Sequence, residues 1–418
     1  MIKIKANPFI VIIFTVFIDL LGFGILIPVI PILLADPVSP FYLLPKNFTL
    51  GQGYVLLGLL TAVYPMCQFF SASILGQLSD IFGRKRLLAI SLVGTCLSYI
   101  LFAYGILTQN LELLFFSRAL DGITGGNISI AMAAIADVTR PENRAKSFGM
   151  IGAVFGLGFI IGPFLGGKLS DPTVLSWFNA ATPFWFAAML SFLNILSVIF
   201  LFPETLKNRQ EKIRINWGQS IQNISRAFNY RGFRAIFASN FVLQAGFAFF
   251  STFSSVFLIS RFNFTQGNIG DFFAYIGLWI IFTQSVLVRV LSKKFQDYQV
   301  LRFSLFLTGF AMIGYMLPKY WWQMLFLSPF MAMGNGTSQA FMSSLVSRKA
   351  GPKIQGEILG INSSVAALGQ SIPPILSGFI AQKLTPEAPV IVAGTVIIVA
   401  GIIFRMFYNQ KTAVVLKV

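Results

Sequence analysis

The apolar residues of this chain fall in blocks of about twenty, the length an α-helix needs to cross the hydrocarbon core of a bilayer. No other feature restricts its folding so far. The first block, residues 8–34, holds a single charged residue, Asp19, and similar blocks recur to the end of the chain. Only 11% of the 418 residues are charged, against about 25% in soluble proteins. That is too few to clothe several water-facing domains. A membrane barrel would show short alternating segments instead. The expected fold is an all-α polytopic membrane protein.

Twelve spans fit, at 8–35, 53–77, 87–107, 111–137, 146–169, 180–202, 232–260, 268–290, 300–317, 322–347, 356–382 and 388–408. The loops test this count. With both termini on one side, 25 of the 31 Lys and Arg residues fall on that side, including Arg84, Lys85, Arg86, Arg226 and Arg348. Cytoplasmic loops carry such an excess, so both termini are expected in the cytoplasm. The same rule accounts for the net charge of +17 without nucleic acid as a partner. The apolar run near the start continues past Asp19 with no small-residue cleavage site, so it reads as a retained first span. The chain has no histidine, which excludes a histidine-based metal site or triad. Cys67 and Cys96 both lie inside apolar blocks and make no disulfide framework. No metal cluster, nucleophile–base set or cofactor motif is apparent, and an enzyme is not expected.

The longest hydrophilic stretch, 203–231, divides the chain into an N-terminal bundle (1–202) and a C-terminal bundle (232–418), each of six helices. It has room for one amphipathic helix on the membrane surface. The halves share a weak repeat. LSDIFGRKRLLAIS at 78–91 aligns with LSKKFQDYQVLRFS at 291–304. Gly149, Gly158, Pro163 and Gly167 align with Gly360, Gly369, Pro374 and Gly378 at nearly the same offset. Parallel repeats with a site between them are a transporter architecture.

Charges inside the spans are few. Asp19 lies about 16 Å into span 1 at 1.5 Å per residue. A carboxylate at that depth is costly and is by default a functional residue. Gly22 and Gly24 thin the helix beyond it, and Pro28 and Pro31 bend its outer part. Arg118 and Asp121 stand three apart on span 4 and share a face. Asp121 either neutralises Arg118 or joins Asp19 and Arg118 in one cluster, which would exchange one proton per cycle.

Four segments carry a resemblance: GQLSDIFGRKR (76–86), the glycine–proline pattern of span 5, DLLGFGILIPVIP (19–31) and SRALDGITGG (117–126). Together they resemble the major facilitator superfamily, and within it the twelve-span drug:proton antiporters that include the tetracycline exporters. The resemblance implies two six-helix pseudo-repeat bundles in a multi-pass, monomeric protein, with protons, membrane lipid and a small-molecule substrate as its partners; the short loops favour the bacterial inner membrane. It implies that loop 76–86 is a conformational latch: Gly76 and Gly83 permit close approach and a tight turn, and Asp80 meets the start of span 11 near Gln355–Glu357. Arg84 and Arg86 supply the basic charge, with Asp137 a partner for an arginine. Gly149, Gly158, Gly162, Pro163, Gly166 and Gly167 match the antiporter pattern of span 5 at every fixed position. Arg118 matches the family motif; Asp121 departs from it. Ser98 stands where tetracycline exporters carry an aspartate, so tetracycline itself is not the expected substrate.

Polar and aromatic residues that are candidates to line a central cavity are Phe23, Tyr64, Gln68, Asn127, Gln244, Phe247, Asn335 and Asn362. The function implied is proton-coupled export of an amphipathic organic compound or drug by alternating access. The alternative is a facilitator carrying a specific metabolite or siderophore.

Overall fold

The chain enters its first span through Asn7, whose side chain accepts from Phe9 N–H, with Pro8 at the first helical position. Such a pair satisfies and pre-shapes a helix start. The same economy recurs elsewhere. Thr49 and Gln52 form a reciprocal cap on span 2, and Thr265 and Asn268 on span 8. This computed structural model describes residues 7–139, 144–206, 215–230 and 232–409. The rest of the linker 203–231 and the surroundings of Gly149 and Gln355 lie outside the described residues and side chains.

Helix fills each of the twelve expected spans, and no strand occurs among the described residues. Nine of the described helices are long and apolar enough to cross a membrane. Spans 1 to 3 are Pro8–Leu34, Leu50–Phe82 and Arg84–Leu107. Span 4 is interrupted: Leu111–Thr124 and Asn127–Val138 flank Gly125 and Gly126. Spans 5 to 7 are Arg144–Leu169, Thr182–Leu201 and Arg234–Phe262. Span 8 widens by a π-turn at Thr283–Leu287 between Gln266–Phe282 and Val288–Lys294. Span 9 is Asp297–Gly314 and span 12 Ala388–Phe407.

Spans 10 and 11 need an argument. Helix is continuous over Met324–Ser371 and resumes at Pro373–Lys383. Gln244 of span 7 bonds both Gln339, at 3.1 Å, and Gln370, at 3.2 Å. A straight helix would hold those two residues roughly 46 Å apart. The chain therefore reverses between them, giving two spans.

Two apolar cores result. One draws mainly on spans 1 to 6 and takes in Phe253, Val256 and Ala381; the other draws mainly on spans 7 to 12 and takes in Ile27, Ile160 and Ala227. Large apolar side chains such as Phe200 and Phe303 remain on the outside, where lipid replaces water as their solvent.

Span 5 joins the halves. Gly158, Gly162 and Gly166, at four-residue spacing, lie against Leu20, Gly24 and Ile25 of span 1. Gly167 lies against Gly270 of span 8, and Ile160 against Gly277. Small residues let helix backbones meet where no water drives them together. A Cβ on Gly162 would stand 2.7 Å from Gly24 Cα. Gly162→Ala is therefore expected to lower stability by about 1–3 kcal/mol, the usual cost of overpacking. Gly156→Ala, whose Cβ would meet Ile280 at an ordinary 3.4 Å, should be close to neutral. Thermal unfolding of the two variants in detergent checks this; equal midpoints would mean that the track can yield.

Away from the basic face the halves are in close contact: Tyr54 meets Phe253 edge-on at 6.0 Å, and Gly58 abuts Pro374 and Gly378. Lys168 pairs with Asp271 at 2.8 Å. Toward the basic face, a Cβ on Gly360 would meet no described residue within 4 Å. A linker helix, Gln219–Asn229, spans the halves on that side. Ser220 donates to Phe69 O of span 2 at 2.5 Å, Asn223 donates to Ser364 of span 11 at 3.1 Å, and Arg226 approaches Glu357 at 3.6 Å. Ile221 and Phe228 of this helix, and Trp217 just before it, are exposed. The expected amphipathic helix is thus present, with its small polar face toward protein and its apolar face outward.

Candidate functional site

Span 4 brings its charges inward because its glycines allow it. Gly122 backs onto Tyr64 and Cys67 of span 2, and Gly126 onto Ala72. The interruption at Gly125 and Gly126 frees carbonyls, and neighbouring side chains satisfy them. Gln68 donates to Gly125 O at 2.9 Å, Ser71 to Gly122 O at 2.9 Å, and Ser129 to Gly126 O at 2.7 Å.

Just before the break, Arg118 Nη1 donates to Asp121 Oδ2 at 2.7 Å, with both side chains nearly sealed from the surface. The guanidinium also lies over the Tyr64 ring, 4.7 Å from its centre, a favourable placement for a desolvated cation. Gln68 holds the Tyr64 hydroxyl at 2.9 Å. The sequence placed Asp19 at the same depth. The structure sets it in range of the Asp121 charge and beside Asn127. Asp19 is 8% exposed, and neither of its oxygens has a hydrogen-bond partner among the described residues. Asn127 is fully buried and stands in the same condition: it neighbours Asp19 without a well-formed hydrogen bond. Asp19, Arg118 and Asp121 are therefore neighbours, but only the last two are joined directly.

Two neighbours of this cluster were not foreseen. The Tyr99 hydroxyl fills the place a Cβ on Gly22 would take, and Tyr99 feels both Asp19 and Asp121. Gly22 was the signal: a glycine three residues from a buried acid admits a side chain there. Ser98, noted for lacking a carboxylate, lies beside Asp121.

Of the expected cavity residues, Phe23 stacks obliquely on Tyr64 at 6.2 Å. With Leu26, Thr61, Arg118, Ser251 and Thr252 it lines a small cavity of about 30 Å³. Phe247 meets Phe159 of span 5 at 5.2 Å. Gln244 and Asn362 join an amide network in the second half with Asn240, Gln339 and Gln370. Asn335 is buried, its carbonyl without a described partner. Asn240, Gln339 and Gln370 were not singled out from sequence, where isolated amides in apolar spans carry no mark of facing one another.

At the basic face, span 2 ends on Gly83, whose φ of 95° suits glycine. Gly76 approaches Ser129 of span 4. Arg84 is buried; it pairs with Asp80 at 2.6 Å and Asp137 at 3.1 Å and also touches Ser79. Asp80 is engaged by Arg84 of its own loop, and Glu357 faces Arg226 of the linker helix; the expected meeting of Asp80 with the start of span 11 near Gln355 lies outside the described residues. Arg86 is exposed. Glu204 is the unforeseen member: it accepts from Arg84 N–H at 2.9 Å and Lys85 N–H at 3.3 Å. These are orphan donors of the first turn of span 3, and a carboxylate suits them.

Comparison with known proteins agrees with this architecture. A family model described as Major Facilitator Superfamily matches residues 12–374 and 285–415. The chain is 31% identical over 414 residues to the class H tetracycline resistance protein of Pasteurella multocida, covering 96% of each. It is 26% identical over 401 residues to the quinolone resistance protein NorA of Staphylococcus aureus, again covering 96% of each. The crystal structure of the human organic anion transporter MFSD10 (TETRAN) superposes with a TM-score of 0.71 at 21% identity, over 95% of this chain and 98% of that one. At that identity the likeness concerns the fold.

Proposed function

Because this chain belongs to the major facilitator superfamily, we propose that it is a secondary active transporter exporting an amphipathic organic compound in exchange for protons. The observation that carries this reading is the Asp19 carboxylate, buried with neither oxygen bonded to described protein groups. The adjacent Arg118–Asp121 pair is internally neutral. An acid at mid-span without a fixed partner is free to take up and release a proton, whereas a paired one is held. Similarity to two drug-resistance proteins over nearly the whole chain supports a drug-like cargo.

In this mechanism Asp19 carries the proton, and Asp121 keeps Arg118 neutral and in place over Tyr64. Cargo enters between the halves, with the amides around Gln244 on one wall and Phe23 and Tyr64 on the other. Loss of a proton from Asp19 to the cytoplasm leaves a charge in an apolar span, a state that favours reopening outward. The six-helix units 1–202 and 232–418 rock about the glycine track of span 5, and 203–231 tethers them. The present arrangement is read as closed outward, since the contacts of Tyr54, Gly58, Gly167 and Lys168 lie on the side away from the basic face. The protein sits in the bacterial inner membrane as a monomer with both termini in the cytoplasm.

The test compares purified protein in proteoliposomes with and without an imposed pH gradient, after a resistance screen has found a cargo. A cargo that moves equally well without the gradient would overturn coupling. Within this cycle Asp80 acts on the conformational equilibrium, exchanging Arg84 for span 11. Asp80→Asn is expected to slow turnover severalfold with cargo affinity unchanged. A tenfold change in the binding constant with normal turnover would contradict that.

A further inference from the structure

Buried polar groups are hydrogen-bonded in the great majority of cases, and Asp19 and Asn127 are conspicuous exceptions on facing helices. Asp19 is 8% exposed and Asn127 0%, yet all four of their side-chain polar atoms lack a hydrogen-bond partner among the described residues. They are neighbours. Asn127 opens the second half of span 4, directly after the interruption at Gly125 and Gly126. Interrupted membrane helices are where transporters place coupling ions. We propose that Asp19 and Asn127 form a binding site for a small monovalent cation, sodium, which occupies the site in place of a proton.

The chemistry selects the ion. The donors are two carboxylate oxygens and one amide oxygen, hard ligands that suit alkali and alkaline-earth ions rather than soft metals. Charge then separates those two groups. Asp121 is already held by Arg118 at 2.7 Å, so one unpaired negative charge is left, that of Asp19. A monovalent ion brings the cluster to neutrality, as a proton does. A divalent ion would leave an excess positive charge in the membrane interior. The remaining groups around the site are compatible. Tyr64 of span 2 and Tyr99 of span 3 feel the same carboxylate, and Arg118 lies behind Asp121. Against this part of span 1, span 5 places Gly158, Gly162 and Pro163.

Sodium and proton therefore compete for one carboxylate, which rests on the proposed function only insofar as that proton is the coupling proton. Binding itself is tested without cargo. Intact purified protein in detergent is unfolded thermally at pH 8.5, with sodium chloride replacing choline chloride at constant ionic strength. A ligand that binds the folded state raises the midpoint in a saturable way. The expected result is such a rise with sodium, a smaller one with potassium, and a higher half-saturating sodium concentration at pH 6.5. Asn127→Ala should weaken half-saturation at least tenfold, and Asp19→Asn should abolish the response while the protein still unfolds cooperatively. Identical midpoints in sodium and choline, or an undiminished sodium response in Asp19→Asn, would overturn the site. Gradient-driven export is measured separately in sodium-free medium. Its absence beside an intact sodium response would remove the proposed function and leave the site standing.

Discussion

Asp19→Asn should bring gradient-driven efflux in proteoliposomes down to the level of protein-free vesicles, with yield and folding unchanged. The two halves of that expectation have one cause. Neither Asp19 oxygen is bonded to a described protein group, so replacing one oxygen by an amide removes no contact that folding relies on. The amide cannot take up a proton in the working range, so the step that needs one stops. Cargo binding should survive, because the variant resembles the protonated state. Flux that still follows the imposed pH gradient in this variant would take Asp19 out of the mechanism.

Arg118→Gln alone should destabilise the protein by about 3–5 kcal/mol, the cost of leaving one partner of a buried ion pair uncompensated. The pair sits at 2.7 Å with side chains 4% and 7% exposed, so water does little to screen the orphaned Asp121. The double variant Arg118→Gln with Asp121→Asn carries no such charge and should recover most of the loss. Thermal unfolding read as a double-mutant cycle measures this coupling, and additive losses would show that the pair matters little to the fold. Flux in the same variants separates two roles for Asp121. A folded double variant that still pumps makes the pair a neutralising strut. A folded one that leaks cargo without responding to pH assigns Asp121 to coupling.

Depth along a span is legible in a sequence because each residue adds about 1.5 Å. That is why Asp19 and Asp121 could be set at one level, and why Arg118 and Asp121 could be set on one face. Rotation is not legible in the same way. It depends on which side of a helix packs, and in lipid both sides are apolar. The neighbourhood of Tyr99 and Gly22, and the convergence of Asn240, Gln339 and Gln370 on Gln244, follow from rotation alone. The break in span 4 falls at paired glycines, Gly125 and Gly126, which in the sequence read only as part of a motif. The π-turn at Thr283–Leu287 has no such cue, since TQSVL contains neither glycine nor proline. Glu204 lay among loop charges that any cytoplasmic segment carries, and its role at the start of span 3 depends on a fold-back of the chain after span 6.

The backbone-to-backbone seams of span 5 also bear on how this protein can diversify. Along Gly158, Gly162, Gly166 and Gly167 even a methyl group collides with a neighbouring helix, so heritable change there is nearly closed. The amides around Gln244 bond one another side chain to side chain. Exchanging one frees its partner to meet a new cargo while the scaffold stays as it was. Under the proposed function, single substitutions in spans 7, 10 and 11 would then change the exported cargo without disturbing the seams. Selected resistance variants should accumulate on that wall and avoid the seams.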